Sequence, residues 1–171
     1  MDTHTPNTEH DTAKLWDIIK DIKFSMFTVR HGNGHLHSRP MTTQNRKDDR
    51  GAVLWFFMSH RSDSVADLRK DAEVNVTYAD TGTDAYVSVS GRAHVVDDMA
   101  KKKELFNKFV EAWFPGGVTD PDLALVAVDI THADYWQAKD NQLTQIIKMA
   151  TSAVTGTPPR NMGEHGEIRM R

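Results

Sequence analysis

The residues with the clearest capacity for chemistry fall in two short stretches, Ser38-Arg-Pro-Met41 and Leu54-Trp-Phe-Phe-Met58, followed by Ser62 and Ser64. Arg39 carries a planar fork of donors that suits a phosphate or the carbonyl-rich edge of a ring. Pro40 has no N–H to give to a sheet and favours an edge or a bulge, which leaves the backbone around it, Met41 included, open to a ligand. Ser62 and Ser64 stand where a helix would begin, and free N–H groups at a helix start attract anions. Trp55, Phe56 and Phe57 can line a flat apolar slot through backbone and side chain. Taken singly, each has a plainer reading: an arginine on an exposed strand forms a surface ion pair, and apolar strand residues pack a core.

Other groups offer less. His35 and His37 alternate along one strand and face the same side, but no cysteine or patterned carboxylate accompanies them. With His31 they read as solvated hairpin histidines, and no metal is expected. Lys101-Lys-Lys103 reads as a solvated helix face, and Asp97 and Asp98 as helix-capping residues. Ser59 and Ser62 lack the strand–turn–helix context of a serine nucleophile. No side chain identifies itself as catalytic.

Composition narrows the partners. The 171 residues fit one domain, and no apolar run reaches the roughly 20 residues that span a bilayer. A net charge of -3 lacks the basic excess that nucleic acid demands. A cysteine-free chain whose start shows no basic segment followed by an apolar stretch leads us to expect a cytoplasmic protein.

These residues need a scaffold to position them. Residues 1–10 are polar and read as a flexible arm, and the ordered domain is expected over 11–150. Leu15, Trp16, Ile18, Ile19 and Ile22 recur at helical spacing, predicting a helix from Asp11 to about Asp21. The β-formers of 24–30, the glycines of His31-Gly-Asn-Gly34 and the stretch 35–43 predict a hairpin. The run 51–58 reads as a strand buried on both faces at the centre of a sheet. A helix capped by Ser62 or Asp63 follows, then an alternating strand around Val74, Val76 and Tyr78. Next come a turn over 80–83 and a long strand over 85–96 with a bulge or bend at Gly91. Leu105, Phe106, Phe109, Val110 and Trp113 predict one long helix ending before Pro115, and 123–136 the last strand. Residues 151–171, poor in large apolar side chains, read as a disordered tail. Strands joined by short turns with few helices predict a mainly antiparallel α+β barrel.

In their order and spacing, Ser38-Arg-Pro-Met41, Leu54-Trp-Phe-Phe57, Ser62, Tyr86-Val-Ser-Val-Ser-Gly-Arg-Ala93, Trp113-Phe-Pro-Gly116 and Asp134-Tyr-Trp136 resemble the general stress protein 26 group. That group belongs to the FMN-binding split-barrel superfamily typified by pyridoxamine 5'-phosphate oxidase. The resemblance covers about residues 11–140. It implies a six-stranded antiparallel split β-barrel with flanking helices, a homodimer formed through the barrel faces, and FMN held where the subunits meet. Arg39, Pro40, Met41, Trp55, Phe56, Phe57, Met58, Ser62, Ser64, Trp113 and Trp136 are the positions it brings to the cofactor. Trp113 and Trp136 also suit a core or a dimer interface. The group usually carries Thr at the position of Met58 and Lys at that of Ser64, both associated with the phosphate; His60, Arg61 or Arg69 are the cations nearby that could replace the lysine. The expectation is a flavin-binding protein or FMN-dependent oxidoreductase acting on an unidentified small molecule. The alternatives are FAD or a deazaflavin, another planar anionic ligand such as haem, and a dimer that has lost its flavin.

Overall fold

A computed structural model describes residues 8–138, 149 and 163–169. The expected flexible arm lies largely outside them, and so does the tail up to residue 162.

Helix α1 (Thr8–Ile19) starts three residues earlier than the spacing predicts and buries Leu15, Trp16, Ile18 and Ile19. Trp16 reaches across the fold to donate its indole N–H to the Gly51 carbonyl at 2.9 Å. Strands β1 (Ser25–Arg30) and β2 (Leu36–Met41) form the predicted hairpin, with Gly34 at the positive φ of 86° that its turn requires. There follow β3 (Val53–Ser59), the short helix α2 (Asp63–Leu68), β4 (Glu73–Asp80) and β5 (Ala85–Val96). Helices α3 (Met99–Leu105) and α4 (Lys108–Trp113), a 3-10 turn (Gly117–Thr119), β6 (Leu123–Ala138) and β7 (Gly163–Arg169) complete the order.

All pairings are antiparallel, and the strand order is β2-β1-β4-β5-β6-β3, with β7 added to β6. β5 takes one edge of β6. On the other edge β3 pairs with residues 123–129 and β7 with residues 132–138. The register of β5 shifts between Ser90 and Gly91, where a Cβ would sit 2.5 Å from the Asp129 carbonyl oxygen, so the expected bulge is present and only glycine fits it. Although β1 is second in the order and β3 last, Phe27 and Phe56 meet edge to face with ring centroids 5.1 Å apart. The sheet is therefore curled around one apolar core, without hydrogen bonds between β2 and β3 to close it.

Three expectations need correcting. β3 stands at the end of the strand order, not its centre. Its run is apolar because both faces are covered: Leu54, Phe56 and Met58 enter the main core, while Trp55 and Phe57 join a second cluster with Leu105, Val110, Leu123 and Leu125. Its free edge is satisfied by the chain that precedes it. Gln44 N–H donates to the Trp55 carbonyl, Asn45 Oδ1 accepts from the Trp55 N–H, and Asn45 Nδ2 donates to the Val53 carbonyl, each at 2.8 Å.

The single long helix is two, because Phe106 takes extended backbone and Asn107 caps a new helix, its side chain accepting from the Phe109 and Val110 N–H groups. The expected disordered tail contains a seventh strand. β7 has one buried apolar anchor, Ile168, which is fully buried, and it seats Gly166 beneath the Tyr135 ring, where a Cβ would lie 2.4 Å from ring carbons.

Replacing Phe56 by alanine removes the ring that the curl is packed around. The expected loss is about 3–5 kcal/mol, read as a fall in Tm of roughly 10 °C by circular dichroism. Gly166→Val is expected to unseat β7 alone, so that hydrogen exchange accelerates at residues 163–169 while the β3–β6 ladder keeps its protection.

Candidate functional site

Antiparallel pairing sets Arg39 opposite Phe27 and His37 opposite Val29, so Arg39 and His37 share the inward face of β2. Because β2 ends the strand order, that face is only partly covered. Arg39 is half-buried and, among the described residues, has no hydrogen bond or ion pair. Pro40 lies opposite Met26 on the outward face and is exposed, while Met41 is half-buried and packs against the core.

Helix α2 lies against the hairpin. Ser62 is its N-cap and accepts the Val65 N–H at 3.3 Å. Ser64 is buried, and its hydroxyl is the only buried side-chain polar atom without a partner among the described residues. One turn later Asp67, also buried, is hydrogen-bonded to His31 Nδ1. The His31 ring stacks on His37 with centroids 4.8 Å apart and 23° between planes. A second ion pair, Arg30 with Asp71 at 3.4 Å, ties the hairpin to the end of α2.

Of the nearby cations that could replace the lysine, Arg61 is committed to a carboxylate, and Arg69 and His60 lie beside each other. Arg61 pairs with Asp122 at 3.2 Å, and this guanidinium together with the Ser59 hydroxyl holds the Asp122 carboxyl below the usual carboxylate range. Arg69 stands 3.5 Å from His60 Nδ1.

The remaining positions fall into other environments. Phe56 and Met58 are spent on the main core and Phe57 on the second cluster. Trp55 is half-buried beside that cluster, with the Lys101 ammonium 5.3 Å from its ring centroid. Trp113 is 82% exposed, on the α4 face that also carries Phe109. Lys23 stands 5.1 Å from the Phe109 ring and 5.3 Å from that of Phe24, so an apolar surface surrounds it. Trp136 lies on the outward face of β6, opposite Tyr86 and stacked on His165 with centroids 5.0 Å apart. Arg39 thus lies on the inward face of β2 and Ser64 on the helix packed against β1, while Trp55 borders the second cluster, Trp113 is exposed on α4 and Trp136 lies on the outward face of β6.

Sequence reasoning missed Asp67 and read His31 as solvated. The available signal was the three-residue spacing from Ser64, which puts Asp67 on the same helix face. Among the described residues no three His, Asp or Glu side chains converge to hold a metal, and no helix is long and apolar enough to cross a membrane.

Comparison with known proteins agrees with this architecture. The Neurospora crassa protein bli-3 is 28% identical over 167 residues, covering 92% of this chain and 79% of its own. The crystal structure of a protein assigned as general stress protein 26 from Jannaschia sp. CCS1 superposes with a TM-score of 0.71 at 23% identity, over 95% of this chain and 99% of the other. That of the general stress FMN/FAD binding protein from Xanthomonas citri gives 0.67 at 32% identity, over 78% and 93%. Residues 10–160, which take in the curled sheet, its helices and the hairpin–α2 junction but not β7, match the pyridoxamine 5'-phosphate oxidase-like family, and the chain belongs to that family.

Proposed function

We propose that this chain is a flavin-binding protein of the general stress type. In this reading it holds FMN as a homodimer in the cytoplasm and serves as an oxidoreductase toward a small molecule. The observation that carries the reading is the pair of unmatched polar groups on the hairpin and α2, the half-buried Arg39 guanidinium and the buried Ser64 hydroxyl. Buried polar groups are nearly always partnered, so a hydroxyl without a partner among the described residues marks a polar position that the fold alone does not explain. The two groups fit a phosphate: the guanidinium donates in pairs, and the hydroxyl supplies one more donor.

Flavin, when bound, supplies hydride and electron transfer, and the protein supplies binding, orientation and electrostatics. Arg39 would hold the anionic end and Ser64 would donate to it, while the curled sheet behind them keeps water from one side. The exposed rings of Phe24, Phe109, Trp113 and Trp136 offer apolar area of the kind that interfaces use, which supports the dimer and a ring slot completed by a second subunit. The 32% identity to a general stress FMN/FAD binding protein supports the flavin itself.

Titration of the cofactor-stripped protein with FMN, followed by flavin fluorescence, is expected to give saturable binding at micromolar concentration or tighter. Arg39→Ala is expected to weaken it about tenfold or more, the worth of a charged hydrogen bond. Absence of saturable binding, with FAD and a deazaflavin equally inert, would mean that the scaffold persists without its flavin.

A further inference from the structure

Asp67 is a buried carboxylate to which the reading above gives no role. The buried polar side chains of the described residues are Ser25, Ser64 and Asp67. Ser25 donates to the Met41 carbonyl at 3.1 Å and is accounted for. Asp67 is bonded to His31, and a buried carboxylate is tolerable only beside a compensating charge. With Nδ1 committed to Asp67, Nε2 is the ring nitrogen that His31 has left for a ligand.

The surroundings of His31 are those of a ligand end. His37, stacked on it, shares the inward face of β2 with Arg39 two residues on, roughly 7 Å along the strand. Ser64 sits one turn before Asp67, a spacing that puts Cβ atoms roughly 5–6 Å apart. The hairpin carries His31, His37 and Arg39, α2 carries Ser64 and Asp67, and the His31–Asp67 bond joins the two elements.

We propose that His31, oriented by Asp67 and backed by His37, is the cation that receives the phosphate end of the ligand together with Arg39 and Ser64, so that phosphate affinity follows the protonation of this histidine pair. The proposal rests on the flavin reading above, whose resemblance places a lysine where this chain has Ser64. Carboxylate, imidazolium and phosphate then alternate in sign.

Asp67 from α2 bonds the pair directly; the Arg30–Asp71 ion pair also links the hairpin to the end of α2, and the Lys70 ammonium lies 3.8 Å from where a Cβ on Gly32 would be. Of the side-chain types gathered here, imidazole is the one whose charge ordinarily changes between about pH 5 and 8. The imidazolium attracts phosphate at low pH and loses that attraction as pH rises. A phosphate monoester gains charge through its second ionisation near pH 6, so its own titration would strengthen binding with rising pH. A fall in affinity must therefore come from the protein.

The test follows the histidine ring signals of the full chain by NMR during separate titrations with inorganic phosphate and with FMN. His31 is expected to shift saturably with both near pH 6, and about tenfold more weakly near pH 8. Asp67→Asn, which keeps the shape and removes the charge, is expected to weaken phosphate binding near pH 6 about tenfold, and His31→Gln to abolish the pH dependence while the remaining histidine signals keep their folded positions. FMN binding that leaves His31 unmoved would overturn this proposal and leave the flavin reading standing. A phosphate-dependent His31 shift without FMN binding would support the anion site and sink the flavin reading. Silence of His31 toward both ligands would overturn both.

Discussion

Phe27 and Phe56 meet edge to face across the barrel interior, one from the second strand of the sheet order and the other from the last. That contact requires the six-strand path to curl, and the curl decides what every other element must do. It buries Leu54, Phe56 and Met58 of β3 in the same core cluster as Val76 of β4 and Val87 and Val89 of β5. It leaves β2 at a margin with its inward face half covered. Helix α2 can then lie across the hairpin, with Val65 and Leu68 in the core and Ser64 and Asp67 buried. The candidate site is the part of the interior that the curl leaves to polar groups.

Polar groups elsewhere are matched with care, which gives the exception its weight. The exposed edge of β3 is answered by Gln44 and Asn45, the start of α4 by Asn107, and the Tyr78 hydroxyl by Thr43 at 2.6 Å, with burial pushing the Tyr78 phenol well up from its usual range. Against this background the Ser64 hydroxyl stands alone among the described residues. Among the described residues Arg39 has no carboxylate partner, whereas Arg30, Arg61 and Arg92 each have one. A site that bound nothing would have lost little by filling these positions with apolar groups of similar shape.

Much of the scaffold was legible because local signals agreed with the global fold. The glycines of the hairpin, the alternation of Val74, Val76 and Tyr78, and Gly91 at the bulge each name their own conformation. The errors have one physical origin, which is that residue type alone does not say what lies on the far side of an element. The run from Val53 to Met58 is as apolar as a central strand because a second cluster under α3 and α4 covers its other face. β7 hides in a polar stretch because one isoleucine and a glycine under a tyrosine ring are enough to seat it on a strand already in place. For the site, Arg39 and Ser64 could be named from their motifs, whereas the His31–Asp67 bond joins residues 36 apart and no local pattern announces it.

The proposed function requires that the protein hold flavin as a dimer. Sedimentation velocity of the full chain mixed with FMN, recorded in the flavin absorption band, tests both halves in one measurement. Flavin absorbance is expected to move with a species of dimer mass, at one flavin per chain. Flavin left behind at the meniscus, or carried by a monomer, would contradict it.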